Sequence, residues 1–365
     1  MRKALFLIIC IGFAQPVLPQ IGGRYTYEFL NLTASPRVAA LGGKLISHDG
    51  ADLGLVYHNP ALVDSSMYNN ISLSFVNYFA DVKYGYVSYC RPIKKHPVAF
   101  GMQYINYGTF TKAEENGVIT GNFYAADYAL NIAASHKLDS SFTVGVDVRP
   151  LLSTYERYTS FGISTDLGIT YKNPEKLYQL ALVVRNLGTQ IKRYNDTYEP
   201  LPFEIQLGYT QHLKYAPFNF SITAHHLETW DMSVKDNEES LESGNPQLSS
   251  STTNNKRGFE KVADQFMRHL IFGVEFTPFK NFYARVGYNY QRRQELKVST
   301  RAAMVGFSWG FGISISRFQL NYGRSTYHLA GASDHFSIST NLIQITCNSF
   351  LLKLQKPSAG AHFNA

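Results

Sequence analysis

Residues 142–149 read Phe-Thr-Val-Gly-Val-Asp-Val-Arg, so that apolar side chains alternate with small or charged ones. Residues 160–171 repeat this pattern. Successive side chains of a β-strand point to opposite faces, which gives each segment one apolar face and one small or polar face. Such alternation predicts amphipathic strands, and it is typical both of membrane barrels and of half-buried soluble sheets.

The number and length of the alternating segments favour the membrane barrel. Many exceed the five or six residues usual in soluble sheets, and they match the nine to eleven tilted residues that cross hydrocarbon. We predict an all-β fold, an outer-membrane antiparallel β-barrel of about 14 strands, an even number as bacterial single-chain barrels require. An aromatic-rich soluble sandwich is the alternative. The predicted strands are 71–79, 82–90, 97–107, 123–136, 142–155, 160–171, 178–186, 203–213, 217–226, 269–277, 281–290, 303–316, 318–324 and 335–342.

Composition agrees with a barrel. Among 365 residues, Tyr and Phe number 25 each and charged residues make up only 17%, below the usual quarter. Beyond the amino terminus no apolar run is long enough for a membrane helix. Tyrosines cluster near the predicted strand ends, where they suit interfacial girdles. These tyrosines are Tyr84, Tyr86, Tyr89, Tyr104, Tyr107, Tyr288 and Tyr290.

The amino terminus reads as a targeting signal. Two basic residues precede the apolar run 4–13, and small residues suit cleavage after Ala14. We therefore predict a signal peptide over 1–14 and export to a Gram-negative outer membrane. Lipid attachment at Cys10 fits less well, because Ile9 is bulky where a small residue is expected.

The net charge of +7 is spread along the chain without a basic tract. This distribution argues against a nucleic-acid partner. It suits a barrel that faces anionic headgroups or lipopolysaccharide as its membrane partners.

Residues 15–67 do not alternate cleanly. The run 37–43 predicts a short helix of small residues that ends at glycine, and 58–62 predicts a turn into another short helix. We expect this amino-terminal segment to plug the lumen or to lie on a rim. The candidate plug elements are Arg37, Gly42, Gly43, Asn59, Pro60 and Ala61.

Inward polar residues form the second group of candidates. They could make a binding constellation, but paired charges that hold the plug or wet the lumen are the favoured interpretation. Glu275 and Arg285 belong to the same inward set. The candidate lumenal polar residues are Asp127, Arg149, Asp166 and Arg185.

No pattern predicts catalysis. Gly306-Phe307-Ser308-Trp309-Gly310 has the spacing Gly-x-Ser-x-Gly of serine hydrolases, but it lies within the predicted strand 303–316 and not at the strand-to-helix turn that this motif needs. His-Glu-x-x-His, which marks zinc proteases, is absent. His225 and His226 are adjacent, and adjacent strand residues face opposite sides, so we expect that both do not serve one site. Cys90 and Cys347 have no metal-ligand spacing. We predict no catalytic residue, no cofactor and no metal.

Two segments interrupt or follow the predicted barrel, which spans 68–342. The insertion 232–268 is polar, has few apolar residues and ends in helical spacing. It follows the ninth strand, so it lies outside the cell if the first strand runs outward. A carboxy-terminal tail, 343–365, follows the last strand. The partner of the insertion and the role of the tail are not apparent from the sequence.

Several stretches resemble the PorQ-like outer-membrane proteins of the type IX secretion system in Bacteroidetes. The resemblance implies a FadL-like barrel with a plug, and membership of a cell-surface attachment complex with PorZ, PorV and the sortase-like PorU. It implies a scaffold that holds PorZ while PorU processes secreted cargo. The resembling stretches are 27–32, 37–43, 59–62, 103–108, 173–177, 202–208 and 223–231.

A FadL-like transporter of hydrophobic compounds is the alternative function. It requires an apolar pocket above the plug and a lateral opening where a strand kinks inward. Gly85, Gly101 or Gly108 could allow such a kink, although strand glycines often only relieve curvature. A lipid-modifying enzyme is a third and more remote class.

Overall fold

A computed structural model describes residues 25–48, 50–232, 258–296, 304–328 and 331–343. Within these ranges, fourteen antiparallel strands close into one barrel in which each strand pairs with its sequence neighbours. This confirms the predicted fold class. The strands are β1 (Asn70–Asn77), β2 (Lys83–Ile93), β3 (His96–Ala113), β4 (Ile119–Lys137), β5 (Phe142–Tyr155), β6 (Tyr158–Asn173), β7 (Tyr178–Lys192), β8 (Glu204–His212), β9 (Phe218–Ala224), β10 (Leu270–Phe279), β11 (Phe282–Asn289), β12 (Phe307–Ile315), β13 (Phe318–His328) and β14 (Gly331–Asn341).

The first and last strands close the barrel. They pair in register from Asn70 opposite Asn341 to Asn77 opposite Asp334. A closed sheet has no free edge, so its backbone donors and acceptors are satisfied without water.

The two faces of the wall differ as the alternation predicts. In β5, Phe142, Val146 and Val148 are exposed on the outer surface, whereas Asp147 and Arg149 are fully buried on the inner surface. β6 repeats the division along its length. The outer surface is therefore an apolar band of the kind that faces lipid.

Some strands are longer than the alternation predicts. β3 and β4 continue beyond the predicted limits through a bulged ladder that ends with Lys112 opposite Gly121 and Ala113 opposite Ile119. Both faces of this hairpin are exposed there, so neither face needs apolar residues and the alternation fades. β12 is shorter than predicted and begins at Phe307, directly after Gly306, whose φ is +86°.

The two ends of the barrel differ in their connections. At one end the turns are short, as at 94–95, 280–281 and 316–317. At the other end the connections include 193–203 and the long 225–269. We call these the short-turn end and the long-loop end. In outer-membrane barrels the short turns face the periplasm.

The predicted aromatic girdle is wrong for Tyr84 and Tyr86. Both side chains point into the lumen and are buried. The Tyr84 hydroxyl donates to the Thr33 carbonyl at 3.0 Å, and that of Tyr86 donates to Asn131 Oδ1 at 2.9 Å. Side chains alternate between the two faces along β2. Val87 points outward, so its neighbour Tyr86 points inward, and so does Tyr84 two residues earlier.

The plug, defined as residues 25–67, lies inside the barrel. It contains helix α1 (Pro36–Ala40) and 3₁₀ turns, and the connections at the long-loop end contain α2 (Gly258–Arg268) and α3 (Tyr290–Leu296). No helix within the described ranges is long and apolar enough to cross a membrane. The signal peptide, 236–255 and most of the tail lie outside the described residues. The 3₁₀ turns are Glu28–Asn31, Leu53–Leu55, Pro60–Leu62 and Ser65–Met67.

Inward glycines make room for the plug backbone. A Cβ at Gly145 would lie 2.2 Å from the Ala61 nitrogen, and one at Gly287 would lie 2.3 Å from the Gly42 nitrogen. Real Cβ contacts this short do not occur, so the plug packs directly on wall backbone. The small face seen in the sequence is therefore the plug-binding face. Plug backbone lies against Gly145, Gly287 and Gly323, and plug side chains lie against Gly168, Gly208, Gly273 and Gly310.

We predict that Gly145→Val detaches the plug turn at Pro60–Leu62, because the new side chain overlaps Ala61. Hydrogen exchange of that turn should rise markedly in the purified barrel. Val146→Leu adds volume to the neighbouring outward position and should leave exchange unchanged. Equal protection in both variants would contradict the packing described here.

Candidate functional site: the plug and barrel interface

Local sequence signals shape α1 and present its residues to the wall. Ser35 caps the helix by accepting from the Val38 N–H, and proline follows at the first helical position. Gly42 and Gly43 have φ near +100°, and the Gly43 N–H donates to the Val38 carbonyl at 2.9 Å. This is a Schellman-type ending, which needs left-handed residues.

The Asn59-Pro60-Ala61 turn is held by one buried side chain. Asn59 Oδ1 accepts from the Ala61 N–H at 2.9 Å, while its Nδ2 donates to the Ile46 carbonyl at 2.8 Å. Asn59 therefore ties two plug segments together beneath Gly168, where a Cβ would meet its Oδ1 at 2.2 Å.

Arg37 joins the plug to the wall in the first ionic cluster. Its Nε and Nη2 donate to the Glu275 carboxylate at 3.0 and 3.1 Å, and its Nη1 donates to Asp52 at 3.2 Å. Arg285 Nε donates to the same Glu275 carboxylate at 2.6 Å. Burial alone would lower the pKa of Arg37, but the Glu275 and Asp52 carboxylates raise it above its usual value. The cluster holds two positive and two negative groups.

The second ionic cluster lies on β5, β6 and β7. Asp147 and Asp166 are directly opposite in the ladder, where like charges repel. Arg149 separates them, with its Nε 2.6 Å from Asp147 and its Nη2 2.6 Å from Asp166. Arg185 adds a second positive charge, its Nε 3.6 Å from Asp166. Two cations and two anions again balance.

The same arginines bind plug backbone. Arg149 Nη2 donates to the Tyr57 carbonyl at 2.7 Å, and Arg185 Nη2 donates to the Leu30 carbonyl at 3.1 Å. The Arg149 guanidinium also lies 4.3 Å from the Tyr57 ring centroid, within the range of a cation–π contact.

A third charged group lies toward the long-loop end. Lys44 of the plug forms an ion pair with Glu204 at the start of β8. His225 and His226, just after β9, lie 3.9 and 3.7 Å from the same carboxylate. Ion pairs therefore join the plug to the wall on several sides of the lumen.

Asp127 is placed apart from these clusters. Its carboxylate accepts from the Ser153 hydroxyl, from Tyr107 at 2.6 Å and from Tyr155 at 3.1 Å. These partners are all wall residues. Asp127 therefore braces β3, β4 and β5 rather than the plug.

Apolar packing fills the lumen toward the long-loop end. Leu30 and Tyr57 of the plug pack against the inward wall residues Ile105 and Leu151, and all four are buried. The 193–203 connection covers this cluster, since the Thr26 N–H donates to the Pro200 carbonyl at 3.0 Å.

Two polar cavities open toward the short-turn end. One, of about 470 Å³, is lined by plug residues near Asp64 and by wall residues that include Lys137. The other, of about 540 Å³, contains Arg37 and Glu275 of the first cluster. His48 lines both cavities. Their polar walls do not offer the apolar pocket that the transporter hypothesis requires.

The lateral opening that the transporter alternative requires does not lie between β2 and β3. These strands pair without a register shift from Lys83 opposite Asn106 to Ile93 opposite His96. The space beside Gly101 is occupied by the Tyr86 and Asn131 side chains. Gly108 has φ +84° at a bulge against β4, beyond the β2 pairing.

Sequence reasoning did not name Lys44, Glu204, Tyr57 or Asp147 as candidates. The sequence could have identified Asp147, because it lies two residues before Arg149 and so faces the same side of the strand. Lys44 and Glu204 carried none, since their contact joins residues 160 positions apart.

Together these features define a plugged fourteen-stranded barrel of the outer-membrane type. Comparison with protein-family models gives no match, and neither does comparison with curated protein sequences.

Solved structures of similar fold include hydrocarbon channels and a FadL homologue. A deletion mutant of the monoaromatic hydrocarbon channel TodX aligns with TM-score 0.51 and 12% identity, over 84% of this chain and 98% of that one. The Pseudomonas putida toluene transporter TodX gives 0.48 and 12%, over 84% and 96%. A Pseudomonas aeruginosa FadL homologue gives 0.44 and 11%, over 85% and 98%. At such identity, the match to the TodX mutant establishes the fold alone: this is a FadL-like barrel.

We predict that Glu275→Gln strongly destabilises the docked plug, because it leaves the buried Arg37 and Arg285 with only the Asp52 carboxylate between them. Breaking one side of a buried ion pair costs about 3–5 kcal/mol. Hydrogen exchange across α1 should therefore accelerate by several orders of magnitude. Glu156→Gln, which removes an exposed partner of Lys112, should change it little. Unchanged hydrogen exchange in Glu275→Gln would show that these buried ion pairs do not stabilise plug docking.

We also predict that acid weakens plug docking. Burial, reinforced by Arg185 and Arg149, holds the pKa of His58 well below its usual value, which is about 6.5 when the side chain is in water. Stability from neutral His58 is therefore present above about pH 6.5 and is lost as the pH falls below it.

Between pH 7.5 and 5.5 the docking equilibrium should weaken by about tenfold for this histidine. Hydrogen exchange of the plug, corrected for the intrinsic rate, measures the change. His58→Gln should remove that part of the pH dependence. An identical pH slope in the variant would show that His58 does not contribute.

Proposed function

We propose that this chain is a non-enzymatic outer-membrane scaffold whose lumen is closed and whose long-loop end holds a surface partner. The observation that carries this proposal is the plug, which is bound to the wall by buried, charge-balanced clusters. Removing such a plug would separate Arg37 from Glu275 and Lys44 from Glu204. A plug that stays docked suits a scaffold better than a channel.

The long-loop end offers a surface for a partner. Trp230, Val262 and Phe266 are 60%, 55% and 53% exposed, and the latter two lie on α2. We call these three residues the loop patch. Aromatic residues are enriched in the cores of protein interfaces. A barrel exposes this end to the medium when its short turns face the periplasm.

The proposed partner is a PorZ-like surface protein, in a complex that also contains PorU and PorV. This part of the proposal rests on the sequence resemblance to PorQ-like proteins. In that role the barrel positions its partner while the sortase-like subunit carries out the chemistry. The buried carboxylates fit this division, because each forms hydrogen bonds or ion pairs with wall or plug groups.

A channel for hydrophobic compounds is the second candidate. It is favoured by the fold, which is shared with a protein described as a monoaromatic hydrocarbon channel. An apolar groove of about 520 Å³ on the outer face of β12, β13, β14 and β1 could seat such a compound. Passage through the lumen would require the plug to move and its ion pairs to break.

We predict that Phe266→Glu combined with Val262→Glu releases the surface partner, because buried charge at an interface core is unfavourable. Crosslinking and pull-down from intact cells would measure recovery of the PorZ-like protein. Tyr215→Glu is the matched control, since Tyr215 is 92% exposed but lies at the short-turn end. Equal recovery from both variants would remove the loop patch from the proposal.

A deletion strain separates the two functions. Under the scaffold proposal, the partner appears in the medium and cargo stays unattached, while uptake of toluene and of long-chain lipids is unchanged. Reduced uptake with the partner still on the membrane would favour the channel instead.

A further inference from the structure

Three side chains with metal-ligating atoms converge at the long-loop end. Glu204, His225 and His226 each place one such atom within 4.8 Å of the others. His226 Nε2 lies 3.7 Å and His225 Nδ1 lies 3.9 Å from Glu204 Oε1. In a tetrahedral zinc site with bonds of about 2.1 Å, neighbouring ligand atoms are about 3.4 Å apart. The two histidine–carboxylate separations are therefore within about 0.5 Å of this value, and no separation exceeds it by more than about 1.4 Å.

The backbone explains how adjacent histidines reach one site. β9 ends at Ala224, so His225 and His226 are not strand residues. His226 has φ +53°, a left-handed conformation that reverses the usual alternation. The expectation that the two histidines face opposite sides is therefore wrong, since both approach the Glu204 carboxylate.

Buried polar atoms in this cluster lack hydrogen-bond partners. Both ring nitrogens of His225 and Oε2 of Glu204 are buried without one, and both residues are at most 1% exposed. An unpartnered buried polar atom is costly, so each one calls for an explanation. A bound ion is one explanation, since it would engage a His225 nitrogen and the Glu204 carboxylate together.

A second carboxylate orients His226. Glu228 Oε1 lies 2.9 Å from His226 Nδ1, so this nitrogen donates its proton there, and the Nε2 lone pair is left to face the Lys44 ammonium. Metal-binding histidines characteristically donate their other nitrogen to a carboxylate in this way.

Lys44 presently supplies the positive charge. Its ammonium pairs with Glu204 and lies 3.4 Å from His226 Nε2. The ammonium therefore stands where a cation is favoured, on a flexible side chain that can withdraw.

We propose that Glu204, His225 and His226 form a binding site for a divalent first-row transition ion of the zinc class, which replaces the Lys44 ammonium. Two imidazoles and one carboxylate suit Zn²⁺, with a further position open. Lys44 belongs to the plug. Metal binding therefore removes the contact between Lys44 and Glu204 and replaces it with a metal centre held by barrel residues. This site goes beyond the proposed scaffold and does not depend on it.

The test uses the full chain, purified in detergent and stripped with chelator. Zn²⁺ affinity is measured by competition with a chromophoric chelator, and Co²⁺ is added to record the visible spectrum of the site. Wild type should bind one equivalent. His225→Ala and His226→Ala should each weaken binding by more than about tenfold, and Glu228→Gln by about ten- to a hundredfold.

Lys44→Met provides the decisive arm, because it removes the competing charge without touching a ligand. It should tighten binding by at least about tenfold. His136→Ala, which changes an exposed histidine near the short-turn end, is the control and should bind like wild type. Heat-dependent electrophoretic mobility verifies that each variant is folded.

Several results would overturn the proposal. Wild-type affinity in the His225 and His226 variants would place the ion elsewhere. Absence of binding by wild type, whether or not Lys44→Met binds, would mean that Lys44 permanently fills the cation position.

Discussion

Pairing of β1 with β14 is the constraint on which the rest of the structure depends. Closure satisfies the strand backbone without water, so the outer face can carry apolar side chains. It also creates an interior into which the plug fits. Because the plug displaces water, charged side chains there need partners. The balanced clusters around Glu275 and around Asp166 meet that requirement.

The plug is held by shape as well as by charge. Wall glycines such as Gly145 and Gly287 allow backbone to pack on backbone, while Arg37, Arg149 and Arg185 reach across to fix its position. Each arginine bridges partners from distant parts of the chain. Loss of one partner therefore affects contacts of both the wall and the plug.

The ends of the barrel carry different chemistry. Polar cavities open at the short-turn end, and the loop patch and the Glu204 cluster lie at the long-loop end. A partner and an ion would therefore meet the protein on the same side. The plug lies in the lumen between the ends, and Lys44 joins it to Glu204 toward the long-loop end.

Local patterns predicted much of the fold. Alternation with period two predicted fourteen strands, because one face of each strand meets an apolar environment and the other face does not. The same parity indicated that Arg149 and Asp166 point inward, and glycine indicated where α1 ends. Tyr84 and Tyr86 obey the same alternation, because the outward direction of Val87 requires both tyrosines to point inward. Strand ends beyond the apolar band were missed because both faces are exposed there.

The sequence by itself determined the strands, their inner and outer faces and the existence of a separate amino-terminal segment. Only the tertiary structure decided which inward charges meet. Arg37 and Glu275 are 238 residues apart, and Lys44 and Glu204 are 160 apart. Such pairs depend on strand register and on where the plug comes to rest, and no local pattern encodes either. His225 and His226 show the same limit, since one left-handed residue brings together side chains that strand alternation would separate.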